Sequence, residues 1–168
     1  RRRLNPGQRA QCLPDMEIIM FKHILVPTDG SALSKDAVDK AIRLAKALDA
    51  KLTVFHATPE YKQAFESEGY IMPRIPALQQ RFEEEAAAHA NTILDEAKHA
   101  AAKAGVTCFS AVACGDVPYR LILAQADKSH CDVIVMASHG RRGLDALLLG
   151  SETQKVLTHS KIPVLVCR

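Results

Sequence analysis

Apolar residues fall into two patterns along this chain: short unbroken runs, and longer stretches in which they recur at spacings of three and four. The first run, HILVP at 23–27, ends at Thr28, Asp29, Gly30 and Ser31. It reads as a strand buried on both faces, followed by a turn. Ser31 is placed to cap a helix whose apolar face is Ala37, Val38, Ala41, Ile42, Ala45 and Leu48, ending near Asp49. LTVFHA (52–57) is a second strand, and residues 58–73, with Pro59, Gly69 and Pro73, show no period and read as a surface excursion.

From Pro76 to about Lys103, Leu78, Phe82, Ala86, Ile93, Ala97 and Ala101 mark a long amphipathic helix, with Glu83, Glu84 and Glu85 on a solvated face and Gly105 closing it. TCFSAVA (107–113) is a third strand. The turn at Gly115–Pro118 leads into a helix with Leu121, Ile122, Leu123 and Ala126 inward, and DVIVMA (132–137) is a fourth strand. A loop (138–143), a short apolar stretch (144–149), a helix from Gly150–Ser151 to about His159 and the strand PVLVC complete the chain. Strands alternating with helices imply a doubly wound α/β fold, a parallel sheet with helices on both faces, because right-handed crossovers leave few other arrangements. Residues 1–19 lack periodicity and are expected to be a leader outside one domain spanning 20–168.

Composition narrows the function classes. The chain has 168 residues, 48% of them hydrophobic and 24% charged, enough for one real core. The net charge of +3 shrinks to +1 once the arginine-rich leader is set aside. With no Trp and 5% aromatics, the body has neither a basic footprint nor stacking platforms for nucleic acid. No apolar run approaches the roughly 18 residues a membrane span needs, and the leader lacks a signal peptide's apolar stretch, so a cytoplasmic location is expected. Five cysteines without a C-x-x-C pair point to reduced thiols in or near the core rather than to disulfides or zinc.

In an open doubly wound sheet, ligands bind beyond the carboxyl ends of the strands where strand order reverses. The loops at stake are Pro27, Thr28, Asp29, Gly30, Ser31 after strand one, and Ala137, Ser138, His139, Gly140, Arg141, Arg142, Gly143 after strand four. The second loop leads to Gly150, Ser151, Glu152 and Thr153 at a helix start, where unpaired N–H groups and the positive dipole end favour an anion. Gly140 and Gly150 would let backbone N–H groups approach phosphate without an intervening side chain, and Arg141 and Arg142 could add charge. Neither G-x-x-x-x-G-K-[ST] nor G-x-G-x-x-G is present, which disfavours a P-loop NTPase or a Rossmann dehydrogenase.

HILVPTDGS, GDVP after the third strand, and VMASHGRRGLDALLLGSETQKVLTHSKIPVLV resemble the universal stress protein family over residues 20–168. The resemblance implies a five-stranded sheet ordered 3-2-1-4-5, ATP as ligand, with Mg²⁺ as its possible companion, and a homodimer through the fifth strand (162–167). It also implies that Asp29 bonds the ribose, Ala57 flanks the adenine, and Ser138 to Gly140 with Gly150, Ser151 and Thr153 hold the phosphates. The ATP-binding branch carries G-x2-G-x9-G-[ST]; here Gly140 and Gly150–Ser151 keep the spacing, but Ala137 stands at the first Gly. That matters most if the position needs a positive φ.

Other readings stay open. Asp29 alone reads as a turn or cap residue, His139 as a structural loop histidine, Arg141 and Arg142 as solvated charges, and His56 as packed or locally hydrogen-bonded. The first function reading is a stress protein that binds ATP and acts as a regulatory or protective homodimer with at most slow hydrolysis. The alternative is a dimeric interaction module that does not bind nucleotide. A third, an adenylating enzyme of related fold, lacks further motifs.

Overall fold

The computed structural model describes residues 21–61, 75–139 and 149–168. Strands β1 (His23–Pro27), β2 (Lys51–Thr58), β3 (Cys108–Cys114), β4 (Val133–Ala137) and β5 (Val164–Cys167) alternate with helices α1 (Ala32–Leu48), α2 (Pro76–Ala104), α3 (Pro118–Lys128) and α4 (Ser151–His159). The sheet is parallel throughout, in the order β3-β2-β1-β4-β5. β1 therefore lies at the centre, with Val26 opposite Val54 of β2 and Leu25 opposite Ile134 of β4.

The continuous apolar runs of β1, β2 and β4 are explained by their two buried faces. Even-numbered residues of β1 and β2 (Ile24, Val26, Leu52, Val54) pack with Val133 and Val135 of β4 against α1 and α2. Their contacts there include Ala41, Ala45, Ala97 and Ala101, small side chains that let the helices lie close to the sheet. On the other face Leu25, Phe55, Ile134 and Met136 meet Ile122 and Ala126 of α3 and Val156 of α4. Phe55 is fully buried, and its truncation to Ala would cost about 3–5 kcal/mol.

Several element ends have local causes. Ser31 caps α1, its Oγ accepting from Ser34 N at 3.3 Å. β4 starts one residue later than the apolar run suggests, because Asp132 turns its carboxylate back to accept from Lys22 N at 2.7 Å and His23 N at 3.2 Å. β3 runs one residue further along than expected, and β5 begins after Pro163, whose carbonyl accepts from Ile134 N. Glu83, Glu84 and Glu85 are exposed, as the helical period requires. The surface excursion after β2 falls mostly outside the described residues.

The described cysteines are free, but they do not share one environment. Cys131 is buried, and burial together with the charge of Asp132 pushes its thiol up to about 11. Cys114 instead is exposed at the end of the edge strand β3, near rather than in the core. Among the described residues no helix is long and apolar enough to cross a membrane.

Candidate functional site

The order β3-β2-β1-β4-β5 puts the switch point between β1 and β4, since the chain leaves β1 toward one edge and returns at β4 to build toward the other. Three segments meet its carboxyl side: the turn after β1, the end of β4, and the start of α4.

The turn after β1 is held from several directions. Thr28 N donates to Phe55 O of β2 at 2.9 Å, and the Thr28 carbonyl accepts from His56 Nδ1 at 2.7 Å. Thr28 Oγ1 lies 3.0 Å from Ser34 Oγ of α1 and accepts from Gly30 N at 3.2 Å. Asp29 Oδ1 accepts from Ser31 N at 3.0 Å, the turn role that short acidic side chains fill readily. Gly30 has φ 80°, a left-handed conformation that explains why glycine stands between Asp29 and the capping Ser31.

At the end of β4, Ala137 and Ser138 are buried. Ser138 N donates to Cys167 O at 2.7 Å, extending the β4–β5 ladder. The loop is tied to α4 twice: Thr153 Oγ1 donates to Ala137 O at 3.0 Å and Gly150 N donates to Ser138 O at 2.8 Å. His139 is buried, its Nδ1 3.1 Å from Ser138 Oγ.

Two expectations change in detail. The N–H of Gly150 is turned to Ser138 O, so the glycine serves close backbone approach between loop and helix rather than an open N–H. Ala137 is an ordinary strand residue, and Asp49 and His130 are the non-glycine residues with positive φ among those described. Alanine is unstrained there, so its departure from the Gly motif carries no backbone penalty.

Gly150 supplies no capping side chain to α4, and the first N–H groups of a helix have no intrahelical acceptor. Ser151 is exposed at this end and Thr153 is buried. The Glu152 carboxylate is engaged elsewhere, accepting from Tyr119 N of α3 at 2.9 Å and pairing with Lys155 at 2.7 Å. Ala57, in β2, is partly buried against the α3–α4 face, next to Thr58 at the strand's end. Pro27 ends β1 opposite Phe55. Gly140, Arg141, Arg142 and Gly143 lie outside the described residues.

Sequence reasoning missed three ties that build this site: His56 to Thr28, Ser34 to Thr28, and Glu152 to Tyr119. Ser34 did leave a signal, since it stands three residues before Ala37 on the inward face of α1 and is buried.

A parallel sheet of this order, with a pinned turn and an uncapped helix start on the carboxyl side of the switch point, defines a doubly wound α/β domain. The chain belongs to the universal stress protein family, whose sequence model matches residues 20–168. It is 34% identical over 149 residues to universal stress protein YxiE of Bacillus subtilis, covering 89% of this chain and 100% of that protein. The solved structure of MJ0577 from Methanocaldococcus jannaschii superposes with a TM-score of 0.71 at 26% identity, covering 88% of this chain and 95% of that one. A universal stress protein solved in complex with cAMP superposes with a TM-score of 0.64 at 28% identity, covering 88% and 97%.

Proposed function

We propose that this protein binds an adenine nucleotide at the switch point, ATP with Mg²⁺ among the candidates, and works as a cytoplasmic regulatory or protective homodimer built from residues 20–168. The observation that carries the reading is the convergence of the Thr28–Ser31 turn with the uncapped start of α4, in a fold whose 28% identical relative was solved with cAMP. Asp29 takes the ribose hydroxyls, Pro27 and Thr28 shape the turn beneath it, and Ala57 flanks the base. Ser138, His139, Ser151 and Thr153 form the phosphate side with backbone N–H groups at the positive end of α4. Gly140, Arg141, Arg142 and Gly143 complete that side in the sequence reading.

Two local features support this reading. Ala137 is strand-like and buried, and the glycine at 150 lets α4 start directly against the Ser138–His139 backbone. Binding takes precedence over turnover in this reading, because Asp29 is assigned to the ribose and His139, with Nδ1 3.1 Å from Ser138 Oγ, to the phosphate side, which leaves neither loop group assigned as a base. Hydrolysis is at most slow.

The dimer reading is supported by β5, an edge strand with Leu165 48% exposed and no Lys or Glu among Ile162–Cys167 to blunt it. A two-fold partner would add the same strand antiparallel.

The test is mass spectrometry of the nucleotide released from purified protein, followed by thermal unfolding of the stripped protein with AMP, cAMP or ATP–Mg²⁺. An adenine nucleotide near one per chain, or a raised melting temperature, is the expected result. Stripped protein that none of the three stabilises overturns the reading.

A further inference from the structure

The register between β1 and β2 ends at Pro27 opposite Phe55. One residue further on, Thr28 N still donates to Phe55 O, and a side chain adds a second tie: His56 Nδ1 stands 2.7 Å from the Thr28 carbonyl oxygen. A carbonyl oxygen only accepts, so Nδ1 carries a proton in this contact. His56 is 6% exposed, and the ring of His89 from α2 stands edge-on to it at 6.1 Å. The donor is thus carried by a central strand and walled by a helix.

Thr28 C=O and Asp29 N belong to one planar peptide unit, so a bond to that oxygen fixes the plane from which Asp29 departs. Thr28 itself is braced on the other side, by its own N–H, in the preceding peptide unit, on Phe55 O and by its Oγ1 against Ser34 Oγ. Without the His56 donor, the Thr28 carbonyl would be left buried with one partner fewer, and the peptide would be free to rotate toward another donor.

We propose that His56 is a positioning residue for the nucleotide site: its Nδ1–H holds the Thr28–Asp29 peptide so that Asp29 is presented to the ligand. The proposal rests on the reading that Asp29 contacts the nucleotide. It concerns the donor at one ring position, not the bulk of the ring, and that distinction can be tested. The amide nitrogen of Asn matches the position of His Nδ1, whereas that of Gln reaches to the position of Nε2.

The experiment compares wild type with His56→Asn, His56→Gln and His56→Leu, reading AMP affinity by calorimetry and hydrogen exchange at the Gly30 and Ser31 amides by NMR. His56→Asn is expected to keep AMP affinity within about threefold and to preserve both amides. His56→Gln and His56→Leu are expected to weaken AMP at least about tenfold, equal to about 1.4 kcal/mol, and to speed exchange at Gly30 and Ser31 while core amides of β1 and β4 stay protected. Equal affinity across all variants, or an Asn variant that falls as far as Gln, overturns the proposal. Should the Leu variant not fold, the Asn–Gln pair decides alone. Should wild type bind no AMP, the nucleotide reading fails separately, and unchanged Gly30 and Ser31 exchange in His56→Gln then overturns positioning.

Discussion

Gly150 N donates to the carbonyl of Ser138 at 2.8 Å, and a Cβ placed on Gly150 would stand 3.2 Å from that same oxygen. The glycine is therefore a spacer between the end of β4 and the start of α4, and the proposed phosphate side of the site would inherit its shape from this contact. A Gly150→Val protein must push Ser138 and His139 away, at a cost of about 1–3 kcal/mol for overpacking. Urea unfolding should show that loss together with weakened nucleotide binding. Full stability with full affinity would mean that the loop moves freely, contrary to this account.

Restoring the family glycine should not help. Ala137 is the last residue of β4, buried and paired with Cys167 of β5. An Ala137→Gly change adds backbone freedom in a strand, which costs about 0.5–1 kcal/mol. Affinity for AMP or ATP should stay within about twofold while the unfolding midpoint drops. A tenfold gain in affinity would show that the methyl group obstructs the ligand.

These two positions also mark how far the sequence could be read. The runs of β1, β2 and β4 and the cap at Ser31 are local signals, and they led to the observed elements within a residue or two. The burial of both sheet faces makes such strands continuous and therefore conspicuous. What escaped were contacts between segments far apart in sequence, such as Glu152 with Tyr119 or His56 with Thr28, because no periodicity encodes which loop a side chain will reach. Gly150 was legible as a required glycine, but its reason, the Ser138 carbonyl, depends on where α4 docks. The strand order rested on family resemblance, since alternating strands and helices do not by themselves choose it.

His23 gives a pH dependence of stability. Its Nε2 lies 2.8 Å from Thr53 Oγ1, and burial holds its pKa below the ordinary 6.5, against the opposing pull of Asp132. The unfolded chain therefore takes up the proton first, so the contribution is fully present above about pH 6.5 and is lost as pH falls through that value toward the lower folded pKa. Urea midpoints measured at pH 7.5 and 5.5 should fall, and His23→Gln should lessen the fall. An equal fall in the variant would assign the acid sensitivity to other groups.

Leu165 offers a direct test of assembly. It is exposed on an edge strand, so Leu165→Lys adds charge where β5 would meet its symmetry mate, while leaving the monomer core intact. Light scattering should report about twice the 18.4 kDa chain mass for wild type and a shift toward one chain for the variant. A wild type that stays monomeric at high micromolar concentration contradicts the dimer.

The central claim, adenine nucleotide binding through the turn after β1, is tested most directly by calorimetric titration of AMP and ATP–Mg²⁺ into wild type and Asp29→Ala. The account predicts saturable binding to wild type, and a loss of about 1–3 kcal/mol in the variant, the range for a hydrogen bond to a charged group left unmade. Equal affinity in the two proteins, with both folded, would contradict it.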